Sequence, residues 1–266
     1  MDLIDTHCHL THEYFKDKLD LVLKRAEKAG LKAIIVSGVN PPANKEVLAL
    51  AKKHPKLIKA SLGIYPIDAL GIQPDGAGMA FQKGPIDLEK EFAFIEKNLD
   101  QVACIGEVGM DFYWASKETY PKQAENFRKI IRFAIKIKKP LVIHSRKAEE
   151  ECLQILEEEI KNREIPVLQH CFSGRKSLMT KGVELGHYFS IPPCIVNSSN
   201  FQTLVKKVPL AQLLTETDSP WLSPFKEQMN EPAFVLESIK KIAAVKELTE
   251  EEVAAQIWQN YQKIFG

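Results

Sequence analysis

Six residues spread along this 266-residue chain could together do hydrolytic chemistry: His7, His9, Glu107, His144, His170 and Asp218. The first two stand in Asp5-Thr6-His7-Cys8-His9, directly after the apolar pair Leu3-Ile4. In a strand, residues i and i+2 share a face, so both imidazoles point to one spot at the strand's C-terminal end. Two neutral imidazoles make half of a metal site. The other four each close a run that reads as a strand: Glu107 after Val102, His144 after Pro140, His170 after Pro166 and Asp218 after Leu213. Taken singly, each has a plainer reading. His144 and His170 could be hydrogen-bonded core histidines, and Glu107 a solvated loop carboxylate. Asp218, ahead of Ser219-Pro220, could form a turn or cap a helix. Their common placement argues for one site. Six ligands, one of them a carboxylate able to bridge, fit two ions about 3.5–4 Å apart. The mixed nitrogen and oxygen set suits Zn, Mn, Ni or Fe better than Mg or Ca. Two divalent ions per subunit are expected, with Zn, Mn, Ni and Mg as candidates. The histidines His12, His54 and His187 lack this placement and are read as structural.

The elements that must position these side chains follow from the pattern. Strands are predicted at Leu3 to His9, Ala33 to Val39, Ile58 to Tyr65, Val102 to Glu107, Pro140 to His144, Pro166 to His170, Tyr188 to Ile191 and Leu213 to Asp218. Their unbroken apolar runs suit a parallel sheet covered on both faces. Helical spacing predicts helices over Phe15–Ala29, Pro41–His54, Leu88–Asn98, Pro121–Lys138, Lys147–Asn162, Phe201–Lys206, Pro232–Lys246 and Thr249–Phe265, with another running through Met179 to Gly186. Gly30 is a C-cap signal, and Thr249-Glu250-Glu251-Glu252 a capping box. Eight strands alternating with helices and no linker predict an α/β fold: a single (β/α)8 TIM barrel spanning 1–266, with an elongated loop after strand 3 at Pro66 to Pro85. A doubly wound open sheet would want a glycine-rich turn, and no G-x-G-x-x-G occurs. In a barrel every strand's C-terminal end faces one mouth, where the six residues would converge.

Composition narrows the function. Apolar residues make up 45% and charged residues 27%, and 36 basic against 35 acidic side chains leave a net charge of +1. That gives no global field for holding a long polyanion, which counts against a dedicated duplex-binding module. Five cysteines at irregular spacing, with no Cys-x-x-Cys, read as reduced thiols in a cytoplasmic protein. No basic-then-apolar leader and no 18-residue apolar run is present, so neither a signal peptide nor a membrane span is expected.

The segments Asp5-Thr6-His7-Cys8-His9, Gly106-Glu107-Val108-Gly109-Met110-Asp111, Val142-Ile143-His144-Ser145-Arg146, His170-Cys171-Phe172-Ser173-Gly174, Glu216-Thr217-Asp218-Ser219-Pro220-Trp221 and Asn230-Glu231-Pro232 closely resemble the TatD family of metal-dependent deoxyribonucleases, which are amidohydrolase-like barrels. The resemblance implies a metal-dependent hydrolase of ester bonds, with DNA as substrate and 3′–5′ exonuclease action on single strands. It implies that His7, His9 and Asp218 hold one metal, that His144 and His170 hold the second, and that Glu107 bridges. Asp218 would also accept the proton of the attacking water. Arg146 could clamp a phosphate bidentately, or be a surface arginine. Tyr65, Ser173 and Trp221 join it as candidate substrate contacts, and Phe112, Tyr113, Trp114 and Trp221 could stack unpaired bases or simply pack between loops. A monomer or weak homo-oligomer is expected.

The sequence departs from the family's pattern in three places. Gly63-Ile64-Tyr65-Pro66 has a tyrosine where a histidine is usual, the Pro66 to Pro85 stretch is longer and richer in glycine, and Pro193-Cys194 stands where a glycine is common. These bear on substrate more than on metals. The competing readings are a metal-dependent hydrolase of a small ester, lactone, amide or phosphodiester on the same barrel, and a metal-binding protein without turnover. Related barrels often bridge their metals with a carboxylated lysine, and a carboxylate candidate at Glu107 favours the nuclease.

Overall fold

A computed structural model describes residues 1–72 and 78–266. Its strands are β1 (Leu3–Cys8), β2 (Leu31–Ser37), β3 (Ile58–Ile64), β4 (Val102–Gly109), β5 (Leu141–His144), β6 (Val167–Gln169), β7 (Tyr188–Ile191) and β8 (Leu213–Thr215). They pair in parallel, in chain order, into one eight-stranded sheet. The intervening helices are α1 (Leu19–Ala29), α2 (Pro41–Lys53), α3 (Leu88–Lys97), α4 (Tyr120–Ile137), α5 (Glu149–Glu159), α6 (Lys176–Glu184) and α7 (Ser199–Lys207). Two more, α8 (Val235–Lys246) and α9 (Glu250–Phe265), follow β8. This is a (β/α)8 barrel.

Side chains as well as backbone close the ring between β8 and β1. Thr6 Oγ1 donates to Thr215 O at 2.8 Å, and Thr215 Oγ1 to Ile4 O at 2.7 Å. Asp218 N donates to His7 O at 2.8 Å, and His9 N to Ser219 O at 2.9 Å. The fully buried Asp5 ties the seam together. Its Oδ1 accepts Thr217 N at 2.9 Å and its Oδ2 accepts the Thr217 hydroxyl at 2.5 Å. The two chain ends of the sheet are therefore stapled right beside the residues of interest, and α9 packs over both strands.

The helices form where their apolar stripes meet the sheet. On α4, Phe127, Ile130, Ile131 and Ala134 are buried, and burying each of the larger three is worth about 1.5–3 kcal/mol. Asn40 caps α2, its Oδ1 accepting Ala43 N at 3.0 Å, and the Thr249–Glu252 capping box starts α9. Two predicted helices are preceded by a separate 3-10 turn. α1 begins at Leu19 rather than Phe15, because the His12 imidazole accepts Tyr14 N–H and caps a separate 3-10 turn, Glu13–Phe15. Pro232–Phe234 is likewise a 3-10 turn ahead of α8. β8 ends at Thr215, earlier than its apolar pattern implies, and Asp218 takes a left-handed conformation with φ 54°. Of the expected long loop after β3, Asp68–Leu70 forms a 3-10 turn, Asn40 Nδ2 donates to Ala80 O at 2.9 Å, and residues 73–77 lie outside the described set.

Gly63 is required where β2, β3 and β4 crowd together. A Cβ there would lie 2.0 Å from Gly38 O and 2.4 Å from Glu107 N. Any side chain would push β3 outward and displace Glu107.

His187, just before β7, lies at the end of the barrel away from the mouth. It is buried, and Gln169 Nε2 donates to its Nδ1 at 3.0 Å. Burial, helped by the Arg163 charge, pushes its pKa down to about 3. A folded-state pKa below the unfolded value of about 6.5 means that folding excludes a proton. The resulting stability is complete above about pH 6.5 and drains away as pH falls toward 3, by an amount on the order of a few kcal/mol. Urea unfolding of the metal-free protein and of His187→Asn should therefore diverge in slope below pH 6.5, the wild type losing stability faster. Parallel curves would refute this.

Candidate metal centre

At the C-terminal mouth of the barrel the six predicted residues come together. His7 Nε2 lies 3.1 Å from His9 Nε2. Asp218 Oδ1 lies 3.7 Å from His7 Nε2, 3.4 Å from His9 Nε2 and 3.9 Å from His170 Nε2. Glu107 sits between two histidine pairs, one oxygen toward each. Its Oε2 is 3.5 Å from His7 Nε2 and 3.7 Å from His9 Nε2, whereas its Oε1 is 2.5 Å from His144 Nδ1 and 3.8 Å from His170 Nε2. Ligand atoms about 2.0–2.2 Å from a common cation lie on the order of 3–3.5 Å from each other, so these spacings fit a metal centre. Three donor triads lie close enough to share an ion: His7 with His9 and Asp218, His7 with Glu107 and His170, and His170 with Cys171 and Asp218. The His170 ring also stacks on His7, centroids 3.8 Å apart, so His7 has contacts on both sides of the site.

Behind the donors stands a set of partners that the sequence reading did not single out. Ser37 serves both histidines of β1. Its hydroxyl meets His7 Nδ1 at 3.0 Å, and its carbonyl accepts from His9 Nδ1 at 3.1 Å. Glu216 Oε2 accepts His170 Nδ1 at 2.6 Å and Ser190 Oγ at 2.7 Å. Asp111 Oδ2 accepts His144 Nε2 at 2.8 Å. With the outward nitrogen donating to a carbonyl or carboxylate, the inward nitrogen of His9, His144 and His170 is left to present a lone pair. Glu216 stands two residues before Asp218 and Asp111 four after Glu107, and that even spacing was the signal available for finding them.

The electrostatics are those of a buried charge cluster. Burial alone would raise the Glu107 carboxyl, yet the neighbouring His144, His7 and His170 imidazoles hold it well below the usual range. Burial opposes protonation of His144 and His170, but Glu107 and Asp111 bring the former up to about 9, and Glu216 and Asp218 the latter to about 10. His7 moves down, through burial and the charge on His170. Anionic surroundings that draw protons onto two imidazoles are equally suited to a divalent cation, which would displace those protons.

Above the donors opens a cavity of about 570 Å³. Tyr65, Arg146, Ser173 and Trp221, the four candidate substrate contacts, all line it. The Tyr65 hydroxyl donates to Asp111 Oδ2 at 3.1 Å. The Arg146 guanidinium lies 4.0 Å over the Tyr113 ring and 5.5 Å from the Trp114 ring. Ser173 Oγ donates to Glu149 at 2.8 Å, and Trp221 meets His9 and His12 edge-on, each at 5.3 Å. Tyr113, Trp114 and Trp221 stay 53%, 51% and 39% exposed, and one face of the Tyr113 ring is covered by the Arg146 guanidinium. Phe112 instead stacks on Tyr120 at 3.5 Å and belongs to the loop packing. No helix among the described residues is long and apolar enough to cross a membrane.

Comparison with known proteins places this geometry. Residues 4–266 match the family described as TatD-related DNase. The human protein named deoxyribonuclease TATDN3 is 34% identical over 266 residues, spanning 99% of this chain and 94% of that protein. An uncharacterized metal-dependent hydrolase of Bacillus subtilis, YabD, is 31% identical over 99% of this chain and 98% of its own length. The crystal structure of YJJV, a TatD homologue from Escherichia coli K12, superposes with a TM-score of 0.86 at 26% identity, covering 99% of this chain and 97% of that one. With residues 4–266 matched in sequence and its barrel superposed, the chain belongs to the family of TatD-related DNases.

Proposed function

We propose that this protein is a metal-dependent hydrolase that cleaves DNA phosphodiesters, acting as a 3′–5′ exonuclease on single strands with two divalent ions. The observation that carries this reading is Glu107, buried between two histidine pairs with one oxygen toward each, beneath a cavity with Arg146 on its wall. His7, His9 and Asp218 would hold one ion and His144 and His170 the other, with Glu107 shared. When bound, such ions lower the pKa of a water and stabilise charge on a phosphoryl oxygen.

The chain's own groups supply the rest. The Asp218 carboxylate is the most accessible of the two candidate acids, with 16% of its side chain exposed against 6% for Glu107, and it accepts the proton of the attacking water. Arg146 is exposed on the cavity wall and lies over the Tyr113 ring, so its planar fork is available to the non-bridging phosphate oxygens. Trp114 and Trp221 offer exposed ring faces on which an unpaired base stacks. A cavity of about 570 Å³ holds on the order of one or two nucleotides and no duplex, which favours a single-stranded end. With a net charge of +1, few phosphates are gripped, and binding weakens only gently with salt. Five free cysteines agree with a reducing, cytoplasmic setting, and the protein works as a monomer or weak homo-oligomer.

The test is hydrolysis of a 5′-labelled single-stranded oligonucleotide by protein loaded with Mg, Mn, Ni or Zn. The expected result is a ladder that shortens from the 3′ end and vanishes on addition of a chelator. A 5′ mononucleotide released first would reverse the polarity. Intact DNA with every metal, alongside turnover of a small ester, lactone or phosphodiester, would replace the nuclease reading.

A further inference from the structure

Asp111 is fully buried and uses both carboxylate oxygens in different directions. Oδ2 faces the metal centre, accepting His144 Nε2 at 2.8 Å and the Tyr65 hydroxyl at 3.1 Å. Oδ1 faces the rim, accepting the backbone N–H of Tyr113 at 2.8 Å and of Trp114 at 2.7 Å. Those two residues are the aromatic bed of the Arg146 guanidinium. The main chain of Asp111 is itself pinned. Gln123 Oε1 accepts its N–H at 2.7 Å, and Gln123 Nε2 donates to its carbonyl at 3.0 Å. The residues on either side extend the β4–β5 pairing, with Met110 N on His144 O at 3.1 Å and Phe112 N on Arg146 O at 2.9 Å.

We propose that Asp111 is the positioning residue that joins the two halves of the site, orienting the His144 imidazole with one oxygen and building the phosphate- and base-contacting rim with the other. This rests on the reading of His144 as a metal donor and of the rim as a DNA contact. The carboxylate is suited to both tasks because it only accepts, and all four groups around it donate. An acceptor at His144 Nε2 keeps a proton there and leaves Nδ1, which faces Glu107, to bind a cation. Tyr65 completes the acceptor's shell, so at this position the chain uses a hydroxyl where its family usually carries an imidazole.

An amide separates the two roles. In Asp111→Asn the oxygen must stay on the two backbone N–H groups, since the NH₂ group would meet two donors there. The NH₂ group then faces His144 Nε2, which becomes an acceptor, and the ring proton moves to Nδ1. The experiment compares wild type, Asp111→Asn, Asp111→Ala and Tyr113→Ala in three readouts. These are Zn²⁺ titration by calorimetry, the ring-nitrogen shifts of His144 in the Zn-loaded protein, and anisotropy of a labelled single-stranded oligonucleotide with metal-free protein. Asp111→Asn is expected to weaken one Zn²⁺ equivalent by about 10–100-fold, with the His144 proton on Nδ1 and oligonucleotide binding within about twofold of wild type. Asp111→Ala is expected to lose both metal and oligonucleotide affinity. Tyr113→Ala, at an exposed position, should lose oligonucleotide affinity alone. Wild-type Zn²⁺ affinity in Asp111→Asn would overturn the metal half, and wild-type oligonucleotide affinity in Asp111→Ala the rim half. A wild-type protein that binds Zn²⁺ as expected but cleaves no DNA would overturn the nuclease reading and leave the metal half of this one standing.

Discussion

Replacing Glu107 by Gln is expected to abolish turnover, lowering kcat by at least about 10³-fold, and to strip the protein of most of its bound metal. The reason is the double use of one carboxylate. Oε1 and Oε2 each face a different histidine pair, at 2.5–3.8 Å and 3.5–3.7 Å. An amide keeps the shape but loses the charge and turns one of the two positions into a donor, aimed at imidazoles or cations that need an acceptor. In the metal-free protein the same change removes one of the two carboxylates, Glu107 and Asp111, that hold the His144 proton, so stability should fall as well. Metal content by mass spectrometry, turnover of the oligonucleotide and metal-free urea unfolding check this together. Two tightly bound ions in Glu107→Gln would show that the carboxylate is not shared between them.

The second large effect is expected at Asp218, and it should differ in kind. Asp218→Asn is predicted to lower kcat by about 10³-fold, within the range for loss of a positioned general base, while KM changes less than about threefold. Its backbone should hardly move. Asp218 sits at φ 54°, where asparagine is one of the few tolerated residues, and its N–H bond to His7 O is untouched. Asn230 buttresses the same turn, donating to Thr217 O and Trp221 O, each at 2.7 Å. Next to it, Glu231 pairs with Arg25 of α1 through two bonds of 2.6–2.7 Å. The loop is therefore held independently of the Asp218 side chain. His7, His9, Glu107 and His170 remain around the site, so metal should be weakened but retained. Activity within tenfold of wild type in metal-replete Asp218→Asn would rule out Asp218 as the proton acceptor.

Comparing the two variants also distinguishes turnover from mere metal binding. A protein that only stores metal would show the Glu107→Gln loss of ions and no activity for Asp218→Asn to lose.

Much of this molecule was legible in the chain itself. The barrel follows from local signals: apolar runs of strand length, helical stripes, and stops such as Gly30 and the Thr249 capping box all report neighbours within a few residues. The convergence of His7, His9, Glu107, His144, His170 and Asp218 was also legible, because a barrel turns the position "end of a strand" into the position "mouth". Ends of elements were the least legible. β8 stops at Thr215 because Asp5 and His7 of β1 take over the hydrogen bonds of Thr217 and Asp218, partners some 210 residues away in the chain.

What only the tertiary structure decided is which nitrogen of each histidine faces inward and what keeps it there. Ser37, Asp111 and Glu216 act through side-chain bonds to residues on other strands, and no sequence period records a hydrogen bond between strands. The same holds for Arg146, an exposed residue whose guanidinium lies over the rings of Tyr113 and Trp114, a placement that no sequence period records. The sequence by itself determined the chemistry available, a set of imidazoles and carboxylates at one mouth. The fold determined their protonation, orientation and reach, because those depend on distances of a few ångströms between residues that the chain keeps far apart.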